Sequence, residues 1–233
     1  MKYVHYAHQK STHRSMINFK NIPLFSRLLH IRLMSPVVFG MLIFGMLYLR
    51  LCTNDSNIDG VDYFEAGQYD RAMKCFNDYL TLNPHDTKTL YNRARCYEVL
   101  GMPDEAIEDY YSVIDRDPNN IAALISCTQA LYNSERFESA VRVGEMAVLT
   151  DQDNYMAHYY NARANHKYGD LVKALSGYNA AIDLNPDFGL AYFQRGSLML
   201  TIGYPPFACY DLRAAASLNV EGAQEALELY CKK

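Results

Sequence analysis

Residues 87–120 read TKTLYNRARCYEVLGMPDEAIEDYYSVIDRDPNN, and much of the remaining chain repeats their pattern. A shift of 34 residues forward meets IAALISC…ERFESAV…DQDN, and a second shift meets YMAHYYNARANHKYGDLVKALSGYNAAIDLNPDF. A shift backward meets GVDYFEAGQYDRAMKCFNDYLTLNPHD. A fixed period of this length marks a supersecondary unit that cannot bury its apolar face alone and therefore stacks in tandem. Within the unit, apolar residues fall twice at helical spacing: Leu90, Ala94, Tyr97 and Leu100, then Ala106, Tyr110, Val113 and Ile114. Gly101 stops the first helix. Pro103, Asp104 and Glu105 open the second, because proline fits a first turn and acids favour the positive end of the helix dipole. Pro118 ends that helix, and Asn120 is placed to cap the next. The small residues Ala94 and Ala106 let the paired helices approach closely. The expected fold class is all-α: an α-solenoid of about five helix-turn-helix hairpins with a C-terminal capping helix.

Ala94, Tyr97, Gly101, Ala106, Tyr110 and Pro118, with DRDPNN as the inter-unit turn, resemble the tetratricopeptide repeat. The first unit matches with Gly60, Tyr63, Gly67, Ala72, Phe76 and Pro84, and the fourth with Ala162, Gly169, Ala174, Tyr178, Ala181 and Pro186. The fifth has Gly196, Gly203, Ala208 and Ala215, with Pro205-Pro206 opening its second helix. The third departs from the pattern: Thr128, Leu131, Ala140 and Ala147 fit, but Glu135 stands at the turn glycine, Gly144 at the aromatic and Gln152 at the proline. The expected organisation is a repeat domain over residues 52–222, in units 53–86, 87–120, 121–154, 155–188 and 189–222. Residues 223–233 read as an amphipathic helix covering the last unit. The ending ACYDLRAAASLNVEGAQEALELYCKK resembles the closing unit of small bacterial members of this family, some with an N-terminal membrane segment. The resemblance implies a scaffold that binds other proteins and does not by itself say which.

The chain begins differently. Residues 1–54 contain no Asp or Glu, and seven of the 22 Lys and Arg lie there; the remainder carries all 26 acids. That acidic balance argues against nucleic acid as the partner of the repeats. Residues 1–32 form a basic tail, followed by LMSPVVFGMLIFGMLYL, an uncharged run that places a transmembrane helix or signal anchor over residues 33–51. More positive charge precedes the run than follows it, so the expected localisation is single-pass membrane, N-terminus cytoplasmic and repeats extracytoplasmic. Met16 and Met34 are alternative starts, and a start at Met34 would remove most of that charge. No small-x-small cleavage site follows the run, which favours an uncleaved anchor. A lipoprotein lipidated at Cys52 is the alternative, although Arg50 and Leu51 stand where such signals carry small residues.

No residue pattern supports catalysis. The six cysteines form no CxxC pair, His158 and His166 are too far apart on one helix to share a metal, and no GxSxG, HExxH, P-loop or GxGxxG occurs. The chain is read as a non-enzyme without cofactor or metal. Cys75, Cys96 and Cys127 fall at packing positions, whereas Cys209 in the last unit and Cys231 in the capping helix are candidates for a disulfide.

The first helices of such hairpins line the inner side of the stack. Their residues not used for packing give the candidate partner-binding set: Tyr91, Asn92 and Arg95; Gln129 and Tyr132; Tyr159, Tyr160 and Arg163; Phe193 and Gln194. Aromatic and arginine side chains combine large area with a polar or charged end and dominate protein interfaces. Some members of the family hold chaperone tails with two Lys, two Asn and one Arg. Here only Asn92 matches, with Asn57, Val61, Ala122 and Ser126 on the other slots. The expected function is a membrane-anchored adaptor holding a peptide or helix of a partner protein. The alternative is a lipoprotein or self-associating structural module of the cell envelope.

Overall fold

The computed structural model describes residues 56–231, with side chains from residue 59 onward. Eleven α-helices, and no strands, occupy these residues. They pair as α1 (Ser56–Glu65) with α2 (Tyr69–Leu82), α3 (Thr87–Val99) with α4 (Pro103–Arg116), and α5 (Ile121–Asn133) with α6 (Phe137–Thr150). The series continues with α7 (Tyr155–Tyr168) and α8 (Leu171–Leu184), then α9 (Gly189–Thr201) and α10 (Pro205–Ser217), and closes with α11 (Ala223–Tyr230) packed on α10.

The hairpin turns explain the regular period. Gly67, Gly101, Glu135, Gly169 and Gly203 follow one another at one repeat length, and all five have positive φ, from 58° to 101°. A left-handed residue lets the chain reverse after one helix, and glycine adopts it without a Cβ clash. Glu135, at φ 58°, keeps the turn in the third unit despite that clash. Between hairpins the caps repeat as well. Asp86 accepts from the Thr89 N–H at 2.8 Å, Asn120 from Ala123 at 3.1 Å, and Asn154 from Met156 and Ala157. At the next register stands Phe188, which cannot cap; its ring instead packs on Tyr155 and Tyr159, with centroids 4.9 and 4.8 Å apart.

The interior is built from alanines at helix crossings and, in three of the five hairpins, from one large ring: Phe76, Tyr110 and Tyr178 are fully buried, and Leu212 takes that register in the fifth. In the third unit the ring is replaced by Gly144, and the backbone of α7 fills the space. A Cβ at Gly144 would lie 3.1 Å from the Cα of Asn161. The departure from the repeat pattern is therefore a closer approach of neighbouring helices rather than a void.

Two ion pairs join the helices of a hairpin at equivalent positions, and each arginine also reaches an asparagine of the preceding hairpin. Arg93 donates to both oxygens of Asp109 at 2.7 and 2.8 Å and to Asn77 of the preceding unit at 2.9 Å. Arg195 does the same with Asp211 and Asn179, at 2.7, 2.8 and 2.6 Å. In each case the three residues come from the second helix of one unit and both helices of the next. At the C-terminal end Cys209 and Cys231 are disulfide-bonded, Cα to Cα 5.7 Å, fastening α11 to α10.

The membrane localisation expected from the sequence is corrected here. No helix among the described residues is long and apolar enough to cross a membrane, so a single-pass membrane protein is not supported. The basic tail and the apolar run over residues 33–51 lie outside the described residues.

Candidate functional site

Odd-numbered helices touch the odd-numbered helices of neighbouring hairpins, as α1 does α3, α5 does α7 and α7 does α9, while even-numbered helices approach one another less. The inner surface of the stack therefore belongs to the odd helices. Its charge differs from that of the rest of the domain. Together α3, α5, α7 and α9 carry Lys88, Arg93, Arg95, Arg163, Lys167 and Arg195 against one acid, Glu98. The other carboxylates of the described residues stand on α1, α11, the even helices and the turns.

Two registers of these helices carry most of the candidate residues. Tyr91, Ile125, Tyr159 and Phe193 share one, and Arg95, Gln129, Arg163 and Ser197 share the other. In the second register, each arginine lies against an aromatic ring of an earlier odd helix. The Arg95 guanidinium stands 4.5 Å from the Phe64 ring centroid, and that of Arg163 stands 4.2 Å from Tyr132. Arg163 is also 5.6 and 5.8 Å from the rings of Tyr159 and Tyr160. A guanidinium held over a ring is attracted by its π face and keeps N–H donors with which to meet an anion. Among the described residues neither Arg95 nor Arg163 forms an ion pair, and the Nε of Arg163 is buried without an acceptor.

The other candidates divide. Tyr160, Tyr132, Gln129, Asn92 and Gln194 are half-buried on the inner helices. Tyr91 is half-buried, its Oη 3.3 Å from Ser126 Oγ and its ring 5.7 Å from Tyr110. Tyr159 is only 3% exposed and packs against Tyr160, Tyr178 and Phe188, so its ring is committed to the junction between hairpins. Phe193 is half-buried and faces Gly222 at the start of α11, where an added Cβ would lie 3.8 Å from its ring.

Near the first end of the stack a cavity of about 270 Å³ is lined by Val61, Phe64, Glu65, Tyr69, Phe76, Asn92 and Arg95. Asn92 and Arg95 thus meet in one recess with apolar walls, a shape suited to an apolar side chain beside a polar one. Farther along, Glu98 accepts from Tyr110 Oη at 2.6 Å; burial pushes its carboxyl above the usual range, and the Tyr110 hydrogen bond pulls it partly back. Burial also pushes the phenols of Tyr159 and Tyr160 up, opposed by Arg163, and keeps the His166 imidazole below its ordinary value. The described residues contain no group of His, Cys, Asp and Glu able to hold a metal ion. Cys96 and Cys127 are buried, and burial raises their thiols to about 11 and about 12, which keeps them protonated and unreactive.

Reading the sequence missed Phe64 as a partner of Arg95. It also missed the two Arg–Asp–Asn ties. Their signals are present: each ring precedes its arginine by 31 residues, and each tied arginine precedes its aspartate by 16.

Comparison with known proteins places this architecture. Family models described as "Tetratricopeptide repeat" match residues 87–120 and 63–86. FK506-binding protein 59 of Drosophila melanogaster is 32% identical over 108 residues, covering 45% of this chain and 22% of that protein. The Hsp70-Hsp90 organizing protein of Triticum aestivum is 26% identical over 95 residues, 41% of this chain and 16% of that protein. The chain thus spans about a fifth of the length of these curated relatives. Among solved structures, MamA has a TM-score of 0.64 at 21% identity, covering 71% of this chain and 96% of that one. YrrB, described as a TPR protein with an unusual peptide-binding site, has 0.64 at 18%, covering 75% and 91%. These likenesses show the fold. The family models identify residues 63–120 as tetratricopeptide repeats, and the period, the left-handed turns and the alanine crossings already described carry the same repeat architecture through the described residues.

Proposed function

We propose that the chain is an adaptor that holds a peptide or helix of a partner protein on the inner faces of α3, α5, α7 and α9. The observation that carries this reading is the contrast in charge and chemistry. Inside an acidic domain, these four helices carry one acid, two guanidinium groups without an anion, and half-buried Tyr132 and Tyr160 beside them. Such groups gain most when a guest excludes water from them. The contact set is Asn92, Arg95, Gln129, Tyr132, Tyr160, Arg163 and Gln194, with Tyr91 and Phe193 at its margin. Tyr159 supports it from beneath. In this reading the units that present these residues begin at residues 53, 87, 121, 155 and 189. That the wheat relative is named for organizing Hsp70 and Hsp90 is consistent with an adaptor, but the chaperone-tail clamp is not reproduced here, so the guest is of a different kind.

The test is affinity capture by the full chain, by a Tyr160→Ala, Arg163→Ala variant, and by a control altered on the outer face at Tyr111→Ala. The proposal expects the inner-face variant to lose a partner that the control retains. If both variants hold every partner as the parent does, the inner face is not the binding surface.

A further inference from the structure

Among the described residues, an arginine over a ring of the preceding odd helix occurs twice, with the same register each time. Phe64 lies under Arg95 and Tyr132 lies under Arg163; each ring comes from the last turn of an odd helix, and each arginine from the middle of the next odd helix. The two stations are two repeat periods apart. Between them the same register offers Gln129, with Glu98 in the ring's place, and after them Ser197 with His166. The central position is thus neutral at the arginine register and acidic at the ring register. Most other arginines on the domain are engaged: Arg93 and Arg195 hold aspartates, Arg136 holds Asp104, and Arg116 donates to a backbone carbonyl. Among the described residues Arg95 and Arg163 stand without an ion pair. The charges near Arg95 are Glu98 one turn along α3 and Glu65 across the cavity.

From this repetition, and resting on the inner-face reading above, we infer that the guest is an extended acidic segment with two carboxylate side chains, one for each station. A guanidinium held over a ring still has coplanar N–H donors, the geometry that takes a carboxylate with two parallel bonds. Neighbouring packed helices stand ~10 Å apart, so two steps along the inner face span roughly 20 Å. An extended chain rises ~3.3 Å per residue, which sets the two acids about six residues apart. Glu98, between the stations, disfavours a third acid in the intervening stretch. The recess beside Phe64, Asn92 and Arg95 accepts an apolar side chain next to the first acid.

The experiment is selection of a phage-displayed random dodecapeptide library on the full chain, followed by binding of the selected peptides to Arg95→Gln, Arg163→Gln and Tyr160→Ala variants whose helicity is checked by circular dichroism. The expected result is enrichment of two acids about six positions apart. Each arginine variant should bind the selected peptides about tenfold more weakly, and its own selection should retain one acid instead of two. Selected peptides that need Tyr160 but show no acidic pair, or acids at scattered spacing, overturn the two-station inference while keeping the inner face. An empty selection, or peptides indifferent to all three variants, overturns both.

Discussion

Replacing Asp211 with Ala tests the buried ion pair that joins α9 to α10 within the last hairpin. The Arg195 side chain is 18% exposed and that of Asp211 3%, and two donor bonds of 2.7 and 2.8 Å join them. Removing one member of a buried pair leaves the other charge desolvated and uncompensated, at a cost of about 3–5 kcal/mol. Arg195 keeps Asn179 at 2.6 Å and some contact with water, which sets the expectation at the low end, about 3 kcal/mol. For a domain of this size that lowers the melting temperature by roughly 6–12 °C. Urea unfolding of the full chain measures it, and hydrogen exchange places it, because a tie near the end of the stack should loosen α9 and α10 before the centre. Asp109→Ala should cost slightly less, since Arg93 and Asp109 are 22% and 8% exposed. Substituting both partners, Arg195→Met with Asp211→Leu, should return stability to within about 1 kcal/mol of the parent. An Asp211→Ala loss below about 0.5 kcal/mol would refute the reasoning, because it would mean that the pair is solvated like a surface ion pair.

Glu135→Gly should stabilise the chain by about 1 kcal/mol in urea unfolding, since it relieves a left-handed residue with a Cβ while leaving the turn intact. Gly177→Ala should destabilise it by about 1–3 kcal/mol, because the new Cβ would lie 2.9 Å from Ala162 Cβ and 3.1 Å from the His158 carbonyl oxygen; an unchanged midpoint would show that α7 and α8 can separate freely. His166 supplies a pH dependence of known sign. Burial lowers its pKa in the folded chain, so the folded state disfavours the imidazolium, and stability is lost as pH falls from above 6.5. His166→Gln should flatten the stability difference between pH 8 and pH 5.5, and a slope unchanged from the parent would assign that dependence to other groups.

The hairpins were legible because a left-handed turn, a capping side chain and an alanine crossing each recur at a fixed interval, so local chemistry and packing demand the same period. The third unit shows how much context contributes. Glu135 lacks the freedom of glycine, yet the adjoining helices hold it at φ 58°, and Gly144 forfeits a ring but gains the backbone of α7. The inner face was legible only in part. Tyr91, Tyr159 and Phe193 share a register at the border between the inner surface and the junction of hairpins, where helical spacing alone cannot separate an exposed ring from a packed one. Tyr159 is buried because Phe188 occupies the register where Asp86, Asn120 and Asn154 cap, and its ring turns onto Tyr159. The Phe64–Arg95 and Tyr132–Arg163 stacks required knowing which turns of neighbouring odd helices meet, and the Arg–Asp–Asn ties join three helices in the same way.

Site-specific photo-crosslinking tests the binding face most directly. The crosslinker p-benzoylphenylalanine, placed at Gln129 between the two arginine stations or at exposed Tyr111 on α4, reports which side of the stack meets a partner in cells that make the protein. An adduct from position 129 that is absent from position 111, and that fades when Arg95 and Arg163 are changed to Gln, is the predicted result. An adduct from position 111 with none from position 129 would contradict it, and would put the partner on the outer, acidic helices.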